Sequence, residues 1–418
     1  MDQIGTESAF EVAARARRLE REGRDVVHLH LGEPDFATPD NVVAAAKRAL
    51  DDGLTHYGPP LGLAELREAV AHDAGQRRGV SIDPASVVIT PGAKPIMSFA
   101  LMALVEPGDE VIVPDPGFPI YESMSRFMGA TPVALPLRQS ADFRPDLDEL
   151  RSLITPRTRM LILNSPHNPT GSVLTADDIE VIAELALSHD LVILADEIYA
   201  RIVYDGQHHS LLSIDGMAER TIVLDGFSKA YAMTGWRLGF GILPAELVPG
   251  FERLMINTVS CTASYPQAAA VEALTGPQDR VEEMVREFRA RRSLVIDGLN
   301  TLPGVTAAMP HGAFYAFPDV SASGMDGVEF AERLLLEAGV SVIAGTAFGQ
   351  VATGSVRVSY ANSQTNLRLA LDRMSGFLGA NPATECATAA PARATSETGP
   401  TKLATSETGP TKRSTRAS

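Results

Sequence analysis

The sequence predicts an α/β fold: a mostly parallel, seven-stranded sheet in a large domain, followed by a smaller α+β domain. Up to about residue 280, short apolar runs with strand character alternate with helical stretches. This alternation is typical of parallel strands joined by crossover helices in a sheet that is covered on both faces. Residues 159–163 and 191–195 are nearly continuous apolar runs, as doubly covered strands should be. From about residue 281, one long charged helix and short strands replace the alternation.

Each predicted element follows from its local pattern of apolar residues. A helix over residues 7–21 comes first, in an N-terminal segment that we expect to pack on the smaller domain. The strands of the large domain are predicted at residues 87–90, 110–113, 131–135, 159–163, 191–196, 221–225 and 238–243. Helices between most of these strands are predicted at residues 95–105, 120–128, 146–154 and 176–189. The smaller domain is predicted to have helices at residues 281–299 and 364–378 and strands at residues 313–317 and 355–360.

The predicted domain limits follow from these elements and from a change in composition toward the C-terminus. Residues 1–45 form the N-terminal segment, 46–285 the large domain and 286–379 the small domain. Residues 380–418 are expected to be disordered, because the sequence ATSETGPTK occurs there twice with little apolar surface to bury. A peptide ligand for a partner protein is the alternative interpretation of this tail.

Charge and cysteine content narrow the class of protein. The formal net charge of the 418 residues is −16 and no basic stripe offsets it, so nucleic acid is not an expected partner. No apolar run is long enough to cross a bilayer, so no membrane partner is expected, and the first residues are unlike a signal peptide. Two cysteines do not make a disulfide framework, so the cytoplasm is the expected location.

Four polar segments follow strands of the predicted sheet, at the edge where ligands of open α/β sheets bind. They are TPGAK at residues 90–94, NSPHNPTG at 164–171, DEIY at 196–199 and SKAYAMTGWR at 228–237. In the first, a helix that begins at Pro95 exposes the N–H groups of Gly92, Ala93 and Lys94, which can bind a phosphate. Each segment alone is typical of a turn or helix cap, whereas the set at one sheet edge favours a functional site.

Five further segments complete a pattern that covers residues 4 to 378. They are GEPD at 32–35, YxxxxGxxxLR at 57–67, PGFPIY at 116–121, GAFYAFP at 312–318 and VRVSY at 356–360. With these segments the chain resembles the class I/II aminotransferases, which have fold type I and depend on pyridoxal 5′-phosphate (PLP), and it is similar to aspartate aminotransferase. SKxxxxTGWR in combination with NPTG and DEIY is the most specific part of the resemblance.

The resemblance implies PLP as the cofactor and three catalytic side chains. Lys229 would bind PLP as a Schiff base and, once released by substrate, would transfer a proton, which requires a depressed amine pKa. Asp196 would pair with the pyridine nitrogen and keep it protonated, so that the ring withdraws electrons. Tyr199 would donate a hydrogen bond to the phenolic oxygen of PLP.

The same resemblance implies the other cofactor contacts. Asn168 would join Tyr199 at the phenolic oxygen, and Phe118 would stack on the ring. Arg237 would bind the phosphate with its guanidinium, beside the implied contacts Gly92, Ala93, Lys94 and Ser228. Tyr57 would reach the phosphate from a second subunit, so a homodimer is expected.

For the amino acid and 2-oxo acid substrates, the resemblance implies that Arg357 binds the α-carboxylate with help from Gly32 and Asn168. Phe314, Lys94 and the segment near residues 5–6 would contact the substrate side chain. Two interpretations of Lys94 stay open. Its ammonium meets the distal carboxylate of an acidic substrate, or it only offsets the phosphate charge.

Two positions depart from many relatives, and one histidine pair bears on metal binding. Gly226 stands where many relatives have Ser or Thr that contacts the phosphate, so Ser228 would have to supply that contact. His167 stands where many have Asn, and a turn histidine behind the ring is expected. His208 and His209 lack a third ligand at metal-binding spacing, so they are expected to be exposed and no metal site is expected.

The implied activity is a transaminase with a ping-pong cycle through the Lys229 Schiff base, from an L-amino acid to a 2-oxo acid. One alternative is another fold-type-I PLP reaction: elimination, decarboxylation or oxidation of an amino acid. A remote alternative is a ligand-sensing regulator with an aminotransferase-like domain. Such regulators carry a DNA-binding module before this fold, whereas only about thirty residues precede GEPD here.

Overall fold

The computed structural model of the chain describes residues 8–380, so residues 5–6 and the repeats of the predicted tail lie outside the described range. The helices are α1 Ser8–Arg21, α2 Asp40–Asp51, α3 Ala64–Arg78, α4 Lys94–Leu104, α5 Pro119–Phe127, α6 Leu147–Leu153, α7 Ala176–Ser188, α8 Val248–Thr258, α9 Ser264–Thr275, α10 Asp279–Leu299, α11 Gly327–Arg333 and α12 Gln364–Gly379. The strands are β1 Val27–His28, β2 Val87–Thr90, β3 Glu110–Asp115, β4 Thr131–Pro136, β5 Thr158–Asn164, β6 Val192–Asp196, β7 Thr221–Gly226, β8 Gly239–Ile242, β9 Tyr315–Ala316, β10 Val340–Ser341, β11 Ile343–Ala344 and β12 Val356–Ser359.

Seven strands form one large sheet in the order β2-β8-β7-β6-β5-β3-β4. All neighbouring pairs among β3 to β7 are parallel, whereas β8 runs antiparallel to both β2 and β7. The central strands are buried on both faces. Leu161 and Ile193 pack in the core on one side of the sheet, and Ile162 and Leu194 pack in the core on the other. The predicted α/β fold with a mostly parallel, seven-stranded sheet is therefore confirmed.

A second, three-stranded sheet has the antiparallel order β11-β12-β9. Its residues pack with those of α10, α11 and α12 in a separate core, which contains Phe288, Phe330 and Tyr360. Val27 of β1 pairs with Val340 of β10, so the N-terminal segment lies against this C-terminal part of the chain. The limits of the two domains stay a prediction.

Several elements were not predicted from the sequence. They include α2, α3, α8 and α9, which lie in stretches where no element was assigned. Many buried positions of α3 and α9 carry small residues, with three alanines in each helix, and burial of such small side chains leaves a weak amphipathic pattern. The strands β1, β10 and β11 have two residues each, too few to show any period. No described helix combines the length and apolar character that a membrane span requires.

The sheet order sets the place of the polar segments. The carboxyl ends of β5, β6 and β7 are adjacent, with Asn164 paired to Asp196 and Asp196 paired to Leu224. Lys229 follows β7 in the chain after two intervening residues. The end of the large sheet therefore brings an amide, a carboxylate and an amine together, opposite the three-stranded sheet that carries Arg357.

Candidate active site

A cavity of about 530 Å³ lies between the carboxyl ends of the large sheet and the three-stranded sheet. This volume falls in the range of ligand-binding pockets. Of the site residues predicted from the sequence, all but Gly92, Tyr57 and Phe314 line the cavity. Tertiary folding thus brings together predicted site residues that are up to 325 positions apart in the chain, from Gly32 to Arg357.

Lys229 projects into this cavity from the turn after β7. Its side chain is half-buried, and its Nζ donates a hydrogen bond to the Gly32 carbonyl at 2.5 Å. The same Nζ lies 5.9 Å from the centre of the Tyr199 ring. The structure therefore places one amine nitrogen between the GEPD segment and the end of β6.

Asp196 is the last residue of β6 and is buried. Its carboxylate accepts hydrogen bonds from the Tyr121 hydroxyl at 2.6 Å and from the Ile198 N–H at 3.2 Å. Burial raises the pKa of Asp196 to about 6, although the Tyr121 hydrogen bond opposes the shift. Burial makes ionisation of this carboxylate unfavourable. A positively charged group bound next to it would stabilise the anion, so the site is suited to a cationic ligand.

Arg357 on β12 has its guanidinium held on several sides. Nη1 donates to Asn168 Oδ1 at 2.9 Å, and Nη2 donates to the His30 carbonyl at 2.7 Å. The guanidinium carbon lies 4.5 Å from the Tyr315 ring centre and 4.9 Å from the Phe348 ring centre. Its buried Nε has no hydrogen-bond partner among the described residues. The group is thus oriented, yet it retains N–H donors for an anionic ligand such as a carboxylate.

A further group of polar residues in the cavity gathers around the start of α4. Lys94 begins this helix, and Ala93, Ser228 and Arg237 line the wall beside it. Gly92 does not line the cavity but shapes it: a Cβ there would lie 2.3 Å from Arg237 Nη2, and its φ is +81°. A side chain at this position would displace the guanidinium. Helix N–H groups, a hydroxyl and two cations make this end suitable for a phosphate.

These features test whether the cavity fits PLP. The phosphate-binding end, the buried Asp196 carboxylate and the Lys229 amine lie on one cavity that is large enough for the cofactor. Phe118 provides an aromatic wall next to Lys94, whose Nζ lies 5.3 Å from its ring centre. The hydrogen-bond donors at the start of α4 match the phosphate of PLP. The Asp196 carboxylate matches its ring nitrogen, and the Lys229 amine matches its aldehyde. The residues present therefore fit this cofactor.

The departure at Gly226 has a packing reason. A Cβ at Gly226 would lie 2.9 Å from the Cα of Gly239 on β8, so a larger residue does not fit between these strands. The Gly226 N–H is bonded to the Asp225 carboxylate at 2.7 Å. Ser228, which lines the cavity, offers a side-chain hydroxyl in place of the missing one.

The structure places Phe314 and Tyr57 outside the cavity. Phe314 does not line the cavity wall. It is buried behind Tyr199, because neighbouring strand residues face opposite sides and its neighbour Tyr315 takes the cavity side. Tyr57 is 90% exposed and lies outside the cavity of this chain. His167 is buried in its turn, with Nδ1 2.8 Å from the Thr170 hydroxyl and with Nε2 lacking a hydrogen-bond partner among the described residues, and burial lowers its pKa to about 3.

The expectation that His208 is exposed is wrong. Its side chain is buried next to Glu197, with Nε2 3.1 Å from the carboxylate. Arg78 makes a buried ion pair with the same carboxylate, and although burial acts in the opposite direction, Arg78 and His208 hold the pKa of Glu197 below its usual range. Within residues 8–380 there is no group of three or more side chains able to bind a metal.

Sequence reasoning missed several cavity residues. Tyr121, Tyr315 and Phe348 line the wall, although Tyr121 and Tyr315 belong to segments that were singled out. Phe348 lies in a loop without a motif. The Asp115 carboxylate accepts the Gln350 and Val351 N–H groups at 3.0 and 3.1 Å, and so anchors that loop. No local pattern marks Phe348, because a contact across the cavity gives it its position.

Comparison with known proteins adds a second line of support. The sequence model of the family described as aminotransferase class I and II matches residues 24–374. The chain is 43% identical to an aspartate aminotransferase of Pyrococcus abyssi over 359 residues, which is 85% of this chain and 92% of that protein. It is 44% identical to aromatic-amino-acid aminotransferase 2 of Thermococcus litoralis, over 84% of this chain and 92% of that one. The solved structure of a Thermus thermophilus aspartate aminotransferase with maleate superposes with a TM-score of 0.86 at 40% identity, covering 90% of this chain and 97% of the other.

Proposed function

This chain belongs to the aminotransferase class I and II family, and we propose that it moves the amino group of an acidic L-amino acid to a 2-oxo acid. The activity itself is PLP-dependent transamination, with two half-reactions in a ping-pong cycle. The observation that carries the proposal is the meeting of Lys229, Asp196 and Arg357 on one cavity. An amine, a buried carboxylate and a carboxylate-binding guanidinium are what this chemistry needs from the protein.

When bound, PLP supplies an electron-withdrawing ring that stabilises negative charge at the substrate Cα. The Asp196 carboxylate would hold the proton on the ring nitrogen. The Lys229 amine would hold the cofactor and, once released by substrate, would carry the proton at the substrate Cα. The Tyr199 hydroxyl would donate to the phenolic oxygen, with Asn168 beside it. Arg357 would orient the substrate α-carboxylate, and Arg237, Ser228 and the start of α4 would hold the phosphate.

The preference for an acidic side chain rests on Lys94. Lys94 lines the cavity that also contains Arg357, and its ammonium lies next to the Phe118 ring. The relatives from Pyrococcus abyssi and Thermus thermophilus are aspartate aminotransferases, and an aromatic-amino-acid aminotransferase is equally similar. The apolar wall residues Phe10, Met97 and Phe348 favour aromatic amino acids as a second class of donor.

The function is tested by a half-reaction screen. The PLP-loaded protein is mixed with aspartate, glutamate, phenylalanine, tyrosine or alanine, and both the visible absorbance and the products are followed. We expect the band of the lysine-bound cofactor to disappear with stoichiometric release of the matching 2-oxo acid, fastest with an acidic donor. Transamination leaves the amino group on the cofactor, so release of carbon dioxide, ammonia or hydrogen peroxide, with or without the 2-oxo acid, would identify one of the other PLP reactions.

Replacing Lys94 with alanine should lower kcat/KM for aspartate and glutamate by about ten- to a hundredfold and leave alanine and phenylalanine nearly unchanged. An ammonium–carboxylate contact in a partly closed site contributes roughly 1–3 kcal/mol. Steady-state rates at saturating PLP measure the effect. Lys47→Ala, at an exposed position on α2, is the matched control. An equal loss for every donor would assign Lys94 to the phosphate and remove the support for acidic substrates.

We also propose a cytoplasmic homodimer. Tyr57 is 90% exposed, and the exposed apolar residues Met102, Ile256 and Tyr265 suit a protein interface. Sedimentation at assay concentration should give the mass of a dimer. Tyr57→Phe should weaken PLP affinity about fivefold without changing that mass, because one phosphate hydrogen bond is lost. A monomer with full activity would show that each chain completes its own site.

A further inference from the structure

The register of the three-stranded sheet puts Tyr315 beside Arg357. Tyr315 of β9 pairs with Ser359 of β12, two residues beyond Arg357. Because side chains alternate along a strand, Ser359 and Arg357 share a face, and Tyr315 is a diagonal neighbour of Arg357 on that face. The guanidinium carbon lies 4.5 Å from the Tyr315 ring centre and 4.9 Å from the Phe348 ring centre. Two aromatic rings thus contact the guanidinium.

The hydroxyl of Tyr315 reaches the cofactor side of the cavity. It lies 2.8 Å from the hydroxyl of Tyr199, and both tyrosines are buried. It also lies over Gly32, where a Cβ would come within 2.6 Å of this oxygen. A side chain at residue 32 would displace the Tyr315 hydroxyl, so the glycine of GEPD leaves room for this contact.

Either hydroxyl can be the donor in the Tyr199–Tyr315 hydrogen bond, and the needs of the rest of the site bear on which one it is. Each phenol has one hydroxyl hydrogen, and burial raises the pKa of Tyr199 well above its ordinary value, so Tyr199 stays protonated. If Tyr199 donated to Tyr315, it would have no hydrogen for a ligand. The Arg357 cation against the Tyr315 ring favours the reverse direction, because it stabilises the negative end of the Tyr315 O–H dipole as that group donates.

We propose that Tyr315 is a positioning residue for both halves of the site, a role that rests on the proposed function. Its hydroxyl donates to Tyr199, which turns the Tyr199 hydrogen toward the phenolic oxygen of the cofactor. Its ring holds the Arg357 guanidinium in the orientation that accepts the substrate carboxylate. One side chain from β9 thereby connects the residue that contacts the cofactor with the residue that contacts the substrate.

Two substitutions separate the two roles. Tyr315→Phe removes the hydroxyl and keeps the ring, whereas Tyr315→Leu removes both. Gly32→Ala keeps Tyr315 and displaces its hydroxyl. Tyr360→Phe is the matched control, since Tyr360 is a buried tyrosine of the same core that does not line the cavity. The readouts on PLP-loaded protein are the pH midpoint of the visible absorbance and the dissociation constant of maleate, an unreactive dicarboxylate.

For Tyr315→Phe we expect the absorbance midpoint to rise by about 0.5–1 pH unit. A weaker Tyr199 hydrogen bond leaves more negative charge on the phenolic oxygen, which holds the proton on the adjoining nitrogen to higher pH. The value of kcat should fall about three- to tenfold with KM within about twofold, and maleate binding should stay within about twofold. Gly32→Ala should show the same upward shift.

For Tyr315→Leu we expect, in addition, about tenfold weaker maleate binding, because the cation–π contact is lost. The control Tyr360→Phe should leave the absorbance midpoint and maleate binding unchanged. An unchanged midpoint in Tyr315→Phe, or an equal shift in Tyr360→Phe, would overturn the role of Tyr315. Absence of any visible band in the loaded wild-type protein would instead overturn the proposed function.

Discussion

Replacing Lys229 with alanine should abolish transamination, with a loss of at least about 10⁴-fold in the rate of the half-reaction. The Lys229 amine is expected both to hold the cofactor and to carry the proton at the substrate Cα. Among residues 8–380, Lys94 is the one other lysine that lines the cavity, and its ammonium lies against the Phe118 ring, 5.3 Å from the ring centre. The methyl group of alanine can neither hold the cofactor nor carry a proton, so the variant loses both contributions to the rate.

The measurement is a single-turnover experiment with the best donor, followed by quantification of the 2-oxo acid. The loaded variant should also lack the visible band of the lysine-bound cofactor, although the phosphate end of the site is intact. Lys47→Ala should behave as wild type. If Lys229→Ala forms 2-oxo acid at a rate near that of wild type, another residue carries the chemistry and the assignment of Lys229 fails.

Replacing Asp196 with asparagine should lower the single-turnover rate by about 10²- to 10³-fold. Removing one partner of a buried ion pair costs about 3–5 kcal/mol, and each 1.4 kcal/mol corresponds to a factor of ten. Asparagine has nearly the same shape but no charge, so it cannot keep the ring nitrogen protonated. Tyr121→Phe, which removes only the hydrogen bond to the carboxylate, should cost no more than about tenfold.

The pH dependence of cofactor affinity gives a second measurement on Asp196. Burial raises the pKa of Asp196 to about 6, and the positive ring nitrogen favours the anionic form. Cofactor binding therefore lowers this pKa, so affinity should weaken as the pH falls through about 6 in the wild-type protein. Asp196→Asn should not show this acid limb. A variant with wild-type rate and the same acid limb would mean that the carboxylate has no part in holding the ring nitrogen.

The strands of the large sheet could be predicted to within about one or two residues at each end. Each is a short apolar run bounded by turn residues, and this pattern depends only on near neighbours in the chain. The site segments could also be identified from near neighbours in the chain, because residues such as Lys229 stand inside recognisable motifs that follow predicted strands. The helices α3 and α9 were not predicted, because buried alanines differ little in hydrophobicity from the residues at exposed positions.

The choice between Phe314 and Tyr315 needed the folded chain. Both residues stand in GAFYAFP, and the side chains of two neighbouring residues in an extended strand point to opposite faces of the sheet. Which side faces the cavity depends on the register of β9 against β12, and that register is a contact between segments about forty residues apart. Phe348 was missed for a similar reason, since Asp115 and Gly117 anchor its loop from a distant part of the chain.

By itself, the sequence of this protein determined the α/β fold class through its apolar periodicity, and the family and the cofactor through the resemblance of its motifs to those of the class I/II aminotransferases. Only the tertiary structure decided how the groups are held: the Tyr199–Tyr315 bond joins residues 116 positions apart, and the Arg357–His30 bond joins residues 327 apart. Contacts at such separations arise when sheets pack against each other, so their geometry is a property of the folded chain.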